Sequence, residues 1–318
     1  MKVSLIEPLR VDESIIKELA QPINELGHEF VYYDTIAKNE EDLFDRVKNS
    51  DIIMIANTPF PNEVLERLDK TQLINVAFTG VDHVDGKILS EKEIKICNAS
   101  GYATQAVAEL TIGLTLDVLR KISQGNQDVR LAEEFLGPFQ GSEIFGKTVG
   151  IVGTGEIGVQ TAKLYQAFGA NVIAYNRSEK AELLNLGIQY KSLDEVMKLS
   201  DIISIHLPLT DQTKHIIDKS KLSLMKETAI LINVARGGVI DNHALAKALN
   251  NKEIKGAGID VFDQEPPLST TDPLLTAKNT VLTPHVGYLT NEAMKLRAEI
   301  AFDNTIAFLK GSPQNIIN

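Results

Sequence analysis

The chain has 318 residues, 43% of them hydrophobic and 6% aromatic, enough apolar mass for a large core, and its length suggests two domains. Acidic side chains outnumber basic ones, 43 to 32, and the formal net charge of −11 excludes the broad basic face that general nucleic-acid affinity needs. No apolar run approaches the roughly 18 residues of a membrane span, and the opening MKVSLIEPLR lacks the basic flank and apolar core of a secretory leader, so a cytoplasmic protein is expected.

Short apolar runs alternate with amphipathic stretches of helical length, the pattern of an α/β protein with parallel sheets. In the first part, strands are predicted at Val3 to Ile6, Phe30 to Tyr33, Ile52 to Ala56, Ile74 to Phe78 and Ile94 to Cys97, with helices at Asp12 to Leu26, Glu41 to Val47 and Glu63 to Leu68. Cys97 has no second cysteine to pair with and ends an apolar run, which reads as a buried structural thiol. A second series of strands runs through Thr148 to Val152, Val172 to Tyr175, Ile202 to Ile205, Ile230 to Val234, Ala257 to Val261 and Val281 to Leu282. Ser50 to Ile55 (SDIIMI) and Ser200 to Ile205 (SDIISI) match at an offset of 150 residues, which suggests two units of similar topology. Long helical patterns at Ala103 to Ile122 and Asn291 to Leu309 fit neither series and are expected to cross between domains. The domains are then 1–100 with 287–318, and 101–286 inserted between them, with the ligand cleft at the junction.

The segment Val149-Gly150-Ile151-Val152-Gly153-Thr154-Gly155-Glu156-Ile157-Gly158, followed by an amphipathic stretch from Val159 to Phe168, is a Gly-x-Gly-x-x-Gly turn between strand and helix. Gly153 allows the tight turn, Gly155 lets a pyrophosphate approach backbone, and Gly158 lets helix pack on strand, so a dinucleotide is expected on the helix N-terminus. After the next strand, NAD-binding folds usually carry an acid for the ribose 2′-hydroxyl. Here Asn176-Arg177-Ser178 stand instead: neutral, cationic and hydroxylic, a set that leans to NADP(H) over NAD(H).

Three late segments place polar residues just past strand ends: Asn233-Val234-Ala235-Arg236-Gly237-Gly238, Asp260-Val261-Phe262-Asp263-Gln264-Glu265-Pro266 and Thr283-Pro284-His285-Val286-Gly287. Reduction of a 2-oxo acid needs a cation for the carboxylate and carbonyl, and an acid for the alkoxide. Arg236 suits the first task and His285 the second, with Glu265 orienting the imidazole. His206, with no carboxylate assigned to it, reads as structural. No metal site is expected.

These motifs, with Gly80-Val81-Asp82-His83-Val84-Asp85 and Val107-Ala108-Glu109 in the first part, resemble the D-isomer-specific 2-hydroxyacid dehydrogenases over essentially the whole chain. That family includes phosphoglycerate dehydrogenase, glyoxylate and hydroxypyruvate reductases and D-lactate dehydrogenase. The resemblance implies a Rossmann dinucleotide-binding domain inserted in a flavodoxin-like substrate domain, both doubly wound. It implies Arg236, Glu265 and His285 as the catalytic set and backbone amides at Thr79 and Gly80 for the substrate carboxylate. Cofactor contacts are implied at Glu156, Ile157, Leu207, Pro208, Thr213, Val234, Ala235 and Asp260, the last near the nicotinamide carboxamide, with His285 beside the ring. Asn176 departs from the acid of many NAD-using members and puts cofactor identity in doubt, not reaction type. Residues 57–60 and 79–82, with Tyr288 and Leu289, are expected to line the substrate pocket. A homodimer through the nucleotide domain is implied, its segment running on to Phe139. The rival from another class is a nucleotide-sensing binding protein on the same fold, which turnover of a 2-oxo acid separates. Formate oxidation, a further rival, needs no acid paired to histidine, so Glu265 argues against it.

Overall fold

The computed structural model describes residues 1–81, 83–131, 139–265 and 268–318, so Asp82, Pro266 and the stretch 132–138 ahead of Phe139 lie outside the described residues. The chain divides into two compact units, one of Met1–Ala103 with Leu289–Asn318 and one of Thr104–Tyr288.

The first unit is a parallel sheet of β1 (Lys2–Leu5), β2 (Glu29–Tyr32), β3 (Ile52–Ile55), β4 (Leu73–Val76) and β5 (Lys95–Asn98) in the order β2-β1-β3-β4-β5. Strands β3 and β4 are buried at every position, as apolar runs must be when helices cover both faces of a parallel sheet. Helix Glu13–Glu25 buries Ile16, Ala20 and Ile23, one stripe at helical spacing. Helix Asn291–Leu309, capped by Thr290 accepting from Ala293 N, returns to this unit. Buried Asn75 on β4 donates through Nδ2 to Ala301 O (2.5 Å) and Thr305 Oγ1 (2.8 Å) of that helix, and Arg297 donates to Leu9 O (2.6 Å). Cys97 is buried on β5, and burial pushes its thiol up to about 12, which leaves it protonated and inert.

The second unit is a seven-stranded parallel sheet of β6 (Thr148–Val152), β7 (Asn171–Tyr175), β8 (Gln189–Tyr190), β9 (Ile202–Ile205), β10 (Ile230–Asn233), β11 (Gly256–Ile259) and β12 (Thr280–Leu282). Its order is β12-β11-β10-β9-β6-β7-β8, so strand order reverses between β6 and β9. Ser192 and Glu195 form a reciprocal capping box on helix Leu193–Leu199.

The internal match at Ser50 and Ser200 has a structural basis. Asp51 Oδ2 accepts from Lys2 N (2.6 Å) and Asp201 Oδ2 from Thr148 N (2.9 Å), so each aspartate ties the start of its unit's first strand to the strand it opens. Val3 pairs with Ile52 as Val149 pairs with Ile202, so the two units share register at this point.

The long helices differ from expectation. Each belongs to one unit: Thr104–Arg120 to the second, packed on helix Glu156–Ala167 and on β10 and β11, and Asn291–Leu309 to the first. The chain passes between units in the residues just ahead of each helix. Thr111 and Thr115 are buried with their hydroxyls on carbonyls four residues back, and Thr115 Oγ1 also bonds Tyr165 OH (2.6 Å) on helix Glu156–Ala167.

Candidate active site

In open α/β sheets, ligands bind beyond the carboxyl ends of the strands where strand order reverses. In the second unit that place is occupied by the glycine turn after β6 and by His206 and Leu207 after β9. Gly153 has φ +100°, and a β-carbon there would stand 2.6 Å from His206 O and 3.0 Å from the Leu207 side chain, so only glycine fits. Gly158 is enclosed in the same way by Gly153 O. At Gly155 a β-carbon would meet no protein atom within 4 Å. The first intrahelical bond, Val159 N–H to Gly155 O (2.9 Å), leaves the amides of Glu156, Ile157 and Gly158 ahead of the ladder, open to an anion. The turn therefore fits a dinucleotide pyrophosphate: two glycines are consumed by packing, and the third faces open space.

The loop beyond β7 is tied to this turn. Tyr190 OH on β8 accepts from Lys180 N (2.9 Å) and donates to Thr154 Oγ1 (3.1 Å). Asn176 Nδ2 donates to Ser178 O (2.9 Å), and exposed Arg177 reaches Gln212 Oε1 (3.2 Å). Exposed Pro208 accepts from Thr213 Oγ1 (2.5 Å), which closes a short loop after Leu207. His206 bonds Ser204 Oγ through Nε2 (2.7 Å), and its Nδ1 is enclosed without a hydrogen-bond partner among the described residues. Burial pushes this imidazole down to about 3, so it stays neutral and unsuited to proton exchange near pH 7.

The three late segments meet at the carboxyl edge of β10, β11 and β12, which are neighbours. Fully buried Asn233 accepts from Ala235 N (3.1 Å) and donates to Arg236 O (3.0 Å), a turn that fixes Val234 and Ala235 and projects Arg236, whose Nη1 reaches Ala235 O (2.8 Å). Asp260, 1% exposed, accepts from Thr283 Oγ1 (2.5 Å), Val286 N (3.0 Å) and Gly287 N (2.9 Å). Both of its oxygens thus engage the turn that carries His285. That turn is strained, since His285 sits at φ +52°, and Asp260 holds the residues on either side. His285 Nδ1 lies 2.8 Å from Glu265 Oε1, and the ring stands edge-on to Tyr288 at 5.8 Å. With Nδ1 engaged, Nε2 is the nitrogen left for proton exchange. The His285 and Glu265 side chains are 37% and 20% exposed, enclosed enough to be oriented and open enough to be reached.

In the first unit, Thr79 and Gly80 follow β4, and Thr79 O accepts from Asn98 Nδ2 (2.8 Å) at the end of β5. Asn98, Tyr190 and the turn-holding bond between Thr283 and Asp260 escaped the sequence reading. Asn98 follows an apolar run and carried a weak signal, while the others show no spacing that marks them.

A family model described as "D-isomer specific 2-hydroxyacid dehydrogenase, NAD binding domain" matches residues 112–287. The chain belongs to that family. It is an NAD(P)-dependent oxidoreductase acting on the CH–OH group of its donor. A hydroxypyruvate reductase of Blautia hydrogenotrophica is 35% identical over 92% of each chain, and a glyoxylate reductase of Aeropyrum pernix 39% identical over 80% of this chain and 79% of that one. A D-3-phosphoglycerate dehydrogenase of Methanocaldococcus jannaschii is 36% identical across the whole chain, which spans 59% of that relative's length. Among solved structures, an acyclic imino acid reductase in complex with NADPH and D-Arg superposes with TM-score 0.87 at 33% identity, each chain fully covered.

Proposed function

We propose that this dehydrogenase reduces a small 2-oxo acid, of glyoxylate, hydroxypyruvate or pyruvate size, to its D-2-hydroxy acid, and that it prefers NADPH to NADH. The 2.8 Å pairing of His285 Nδ1 with Glu265, on the strand edge beside Arg236, carries the reading. The bound nicotinamide would supply the hydride. Glu265 holds the imidazole by Nδ1 and fixes its orientation, so that Nε2 faces the developing alkoxide oxygen as its proton donor. Arg236 grips the substrate carboxylate and polarises the carbonyl, while the amides of Thr79 and Gly80 donate to the carboxylate. The amides of Gly155, Glu156, Ile157 and Gly158 receive the pyrophosphate, and Leu207, Pro208, Thr213, Val234 and Ala235 flank the dinucleotide. The Asp260 carboxylate lies under the His285 turn, which supports an indirect part in placing the nicotinamide.

The NADPH preference rests on Asn176, Arg177 and Ser178, which offer a 2′-phosphate a cation and hydrogen-bond donors and no carboxylate. The relatives support the substrate size, since one is a hydroxypyruvate reductase and another a glyoxylate reductase. A homodimer in the cytoplasm completes the reading. Helix Ile122–Leu131 of the second unit buries no residue and leaves Ile122, Val129 and Leu131 more than half exposed, apolar surface suited to a second copy.

A steady-state screen of about ten 2-oxo acids with each cofactor tests the reading, with light scattering for the dimer. Turnover of at least one acid is expected, with kcat/KM higher for NADPH. His285→Ala should lose most turnover and still bind cofactor; native kcat in that variant removes His285 from the reaction.

A further inference from the structure

On the NADP(H) reading above, the turn after β6 takes the pyrophosphate and the loop after β7 the 2′-phosphate, two groups whose separation a single ribose ring nearly fixes. The turn and the loop are joined at two consecutive residues. Gly153 N donates to Tyr175 O (2.8 Å), where the loop leaves β7. Thr154 is fully buried, so its hydroxyl needs a partner, and Tyr190 OH donates to it (3.1 Å). Tyr190 OH in turn accepts from Lys180 N (2.9 Å), where the loop ends and helix Ala181–Asn185 begins. Residues 176–179 therefore run between two anchors on the same turn, one made by backbone and the other through a single phenol.

Strand register puts Tyr190 where it can do this. It stands opposite Ala174 of β7, and Lys191 N continues the pairing to Ala174 O (2.8 Å). From β8 the side chain reaches across the end of β7 to the turn beyond β6. A phenylalanine would cover the same apolar surface, so what the hydroxyl adds is its two bonds. The helix after the loop is held independently by helix Glu156–Ala167, through Lys163 to Glu182 (2.5 Å) and Gln166 Nε2 to Leu186 O (3.1 Å). Removing the hydroxyl thus frees Lys180 and the residues ahead of it and leaves the rest of the unit anchored. Within the freed loop Asn176 still bonds Ser178 O (2.9 Å), and Arg177 still reaches Gln212 (3.2 Å).

We propose that Tyr190 is a positioning residue for cofactor choice: its hydroxyl holds the 176–178 loop at a set distance from the pyrophosphate turn, so that Arg177 and Ser178 meet a 2′-phosphate already in place. A loop that must be ordered on binding subtracts the cost of ordering from affinity. That cost falls on the ligand that uses the loop. A phosphate needs several donors arranged around it at once, whereas the 2′-hydroxyl of NADH asks for one bond and leaves its affinity to the amides of the turn.

The test is direct binding to the full chain, with no acid substrate present, by fluorescence titration of NADPH and of NADH. In Tyr190→Phe the Kd for NADPH should rise about tenfold, the loss of roughly one charge-assisted hydrogen bond, and the Kd for NADH by less than about threefold. The ratio of the two then moves at least about threefold toward NADH. Thr154→Val keeps the shape of the buried side chain and leaves Lys180 N on the phenol, so the ratio should move the same way by less. The fragments 2′,5′-ADP and 5′-AMP, which differ only in the 2′-phosphate, should repeat the split. Equal weakening of NADPH and NADH in Tyr190→Phe, the mark of a hydroxyl that only supports the fold, overturns the proposal. Native Kd values in both variants do the same, as does a ratio moved toward NADPH. The preference of the unaltered chain judges the NADP(H) reading separately: tighter NADH removes that reading, and the shift of the ratio still decides for or against Tyr190.

Discussion

Replacing Gly155 by alanine separates folding from cofactor binding more cleanly than any other change in the turn. A β-carbon at Gly155 meets nothing within 4 Å, and the residue lies at φ −68°, ψ −176°, where alanine is unstrained. The unfolded chain loses some freedom, worth about 0.4–1 kcal/mol in favour of the fold, while the poorer N-cap costs a few tenths, so the net change in stability is close to zero. The bound state is another matter. A methyl group over the turn holds a phosphate oxygen away from amides it should reach at about 2.9 Å, and losing one charge-assisted hydrogen bond at about 1.5–3 kcal/mol weakens binding roughly 10- to 150-fold. Thermal unfolding with and without NADPH, together with a fluorescence titration of NADPH, measures both quantities. The expected result is a native Tm without cofactor, a much smaller rise on adding it, and a Kd at least tenfold weaker. Gly158→Ala, whose β-carbon would collide with Gly153 O, should instead fail in the unliganded protein. If Gly155→Ala bound NADPH with native affinity, or unfolded well below the native Tm, the assignment of that open space to the pyrophosphate would be wrong.

The remaining predictions concern charge and anchoring. His206 is neutral in the folded state down to about pH 3, whereas the unfolded chain protonates it near 6.5, so the fold binds fewer protons between these values and loses stability as pH falls through them. From pH 7 to pH 5 this group removes about 2 kcal/mol, and urea titrations should show His206→Gln losing correspondingly less than the native chain; identical losses refute the account. Asp260→Asn leaves one of the Val286 and Gly287 amides unpaired, at a cost of about 1–3 kcal/mol, and frees the strained His285 backbone. Its Tm should drop by several degrees and kcat by more than about tenfold, and a native kcat would show that the staple is dispensable. Arg177→Ala should raise KM for NADPH about tenfold and leave NADH within about twofold, a split that vanishes if Arg177 serves only Gln212.

Much of this was legible in one dimension because parallel strands covered on both faces must be apolar without interruption. Thr148–Val152, Ile202–Ile205 and the helix Asn291–Leu309 stand where the residue pattern puts them, since their periods are long or their boundaries sharp. Strand β8, two residues long, has no period to detect, and Tyr190 with its link to Thr154 went unseen with it. The late motifs were visible because strand-end polar residues cluster in sequence. Their anchors were not: Asp260 reads as a cofactor contact from resemblance, and only spatial pairing reveals that it engages Thr283, Val286 and Gly287. Glu7 is a lone acid after a strand, indistinguishable in sequence from a solvated one, and its neighbours at Ala56 and Thr58 come from the other side of a crossover.

The division of the first unit between the two ends of the chain also orders events during synthesis. Residues 104–288 are contiguous and can close their sheet as soon as β12 has emerged, whereas the first sheet must wait for residues 289–318. Until then Asn75 lacks Ala301 and Thr305, Leu9 O lacks Arg297, and one face of β3 and β4 lacks its cover of Ala298, Ala301 and Phe302. The nascent chain thus carries a finished nucleotide-binding unit behind an unfinished sheet, and ribosome-bound intermediates of this protein should gain affinity for nicotinamide cofactor before they gain it for acid.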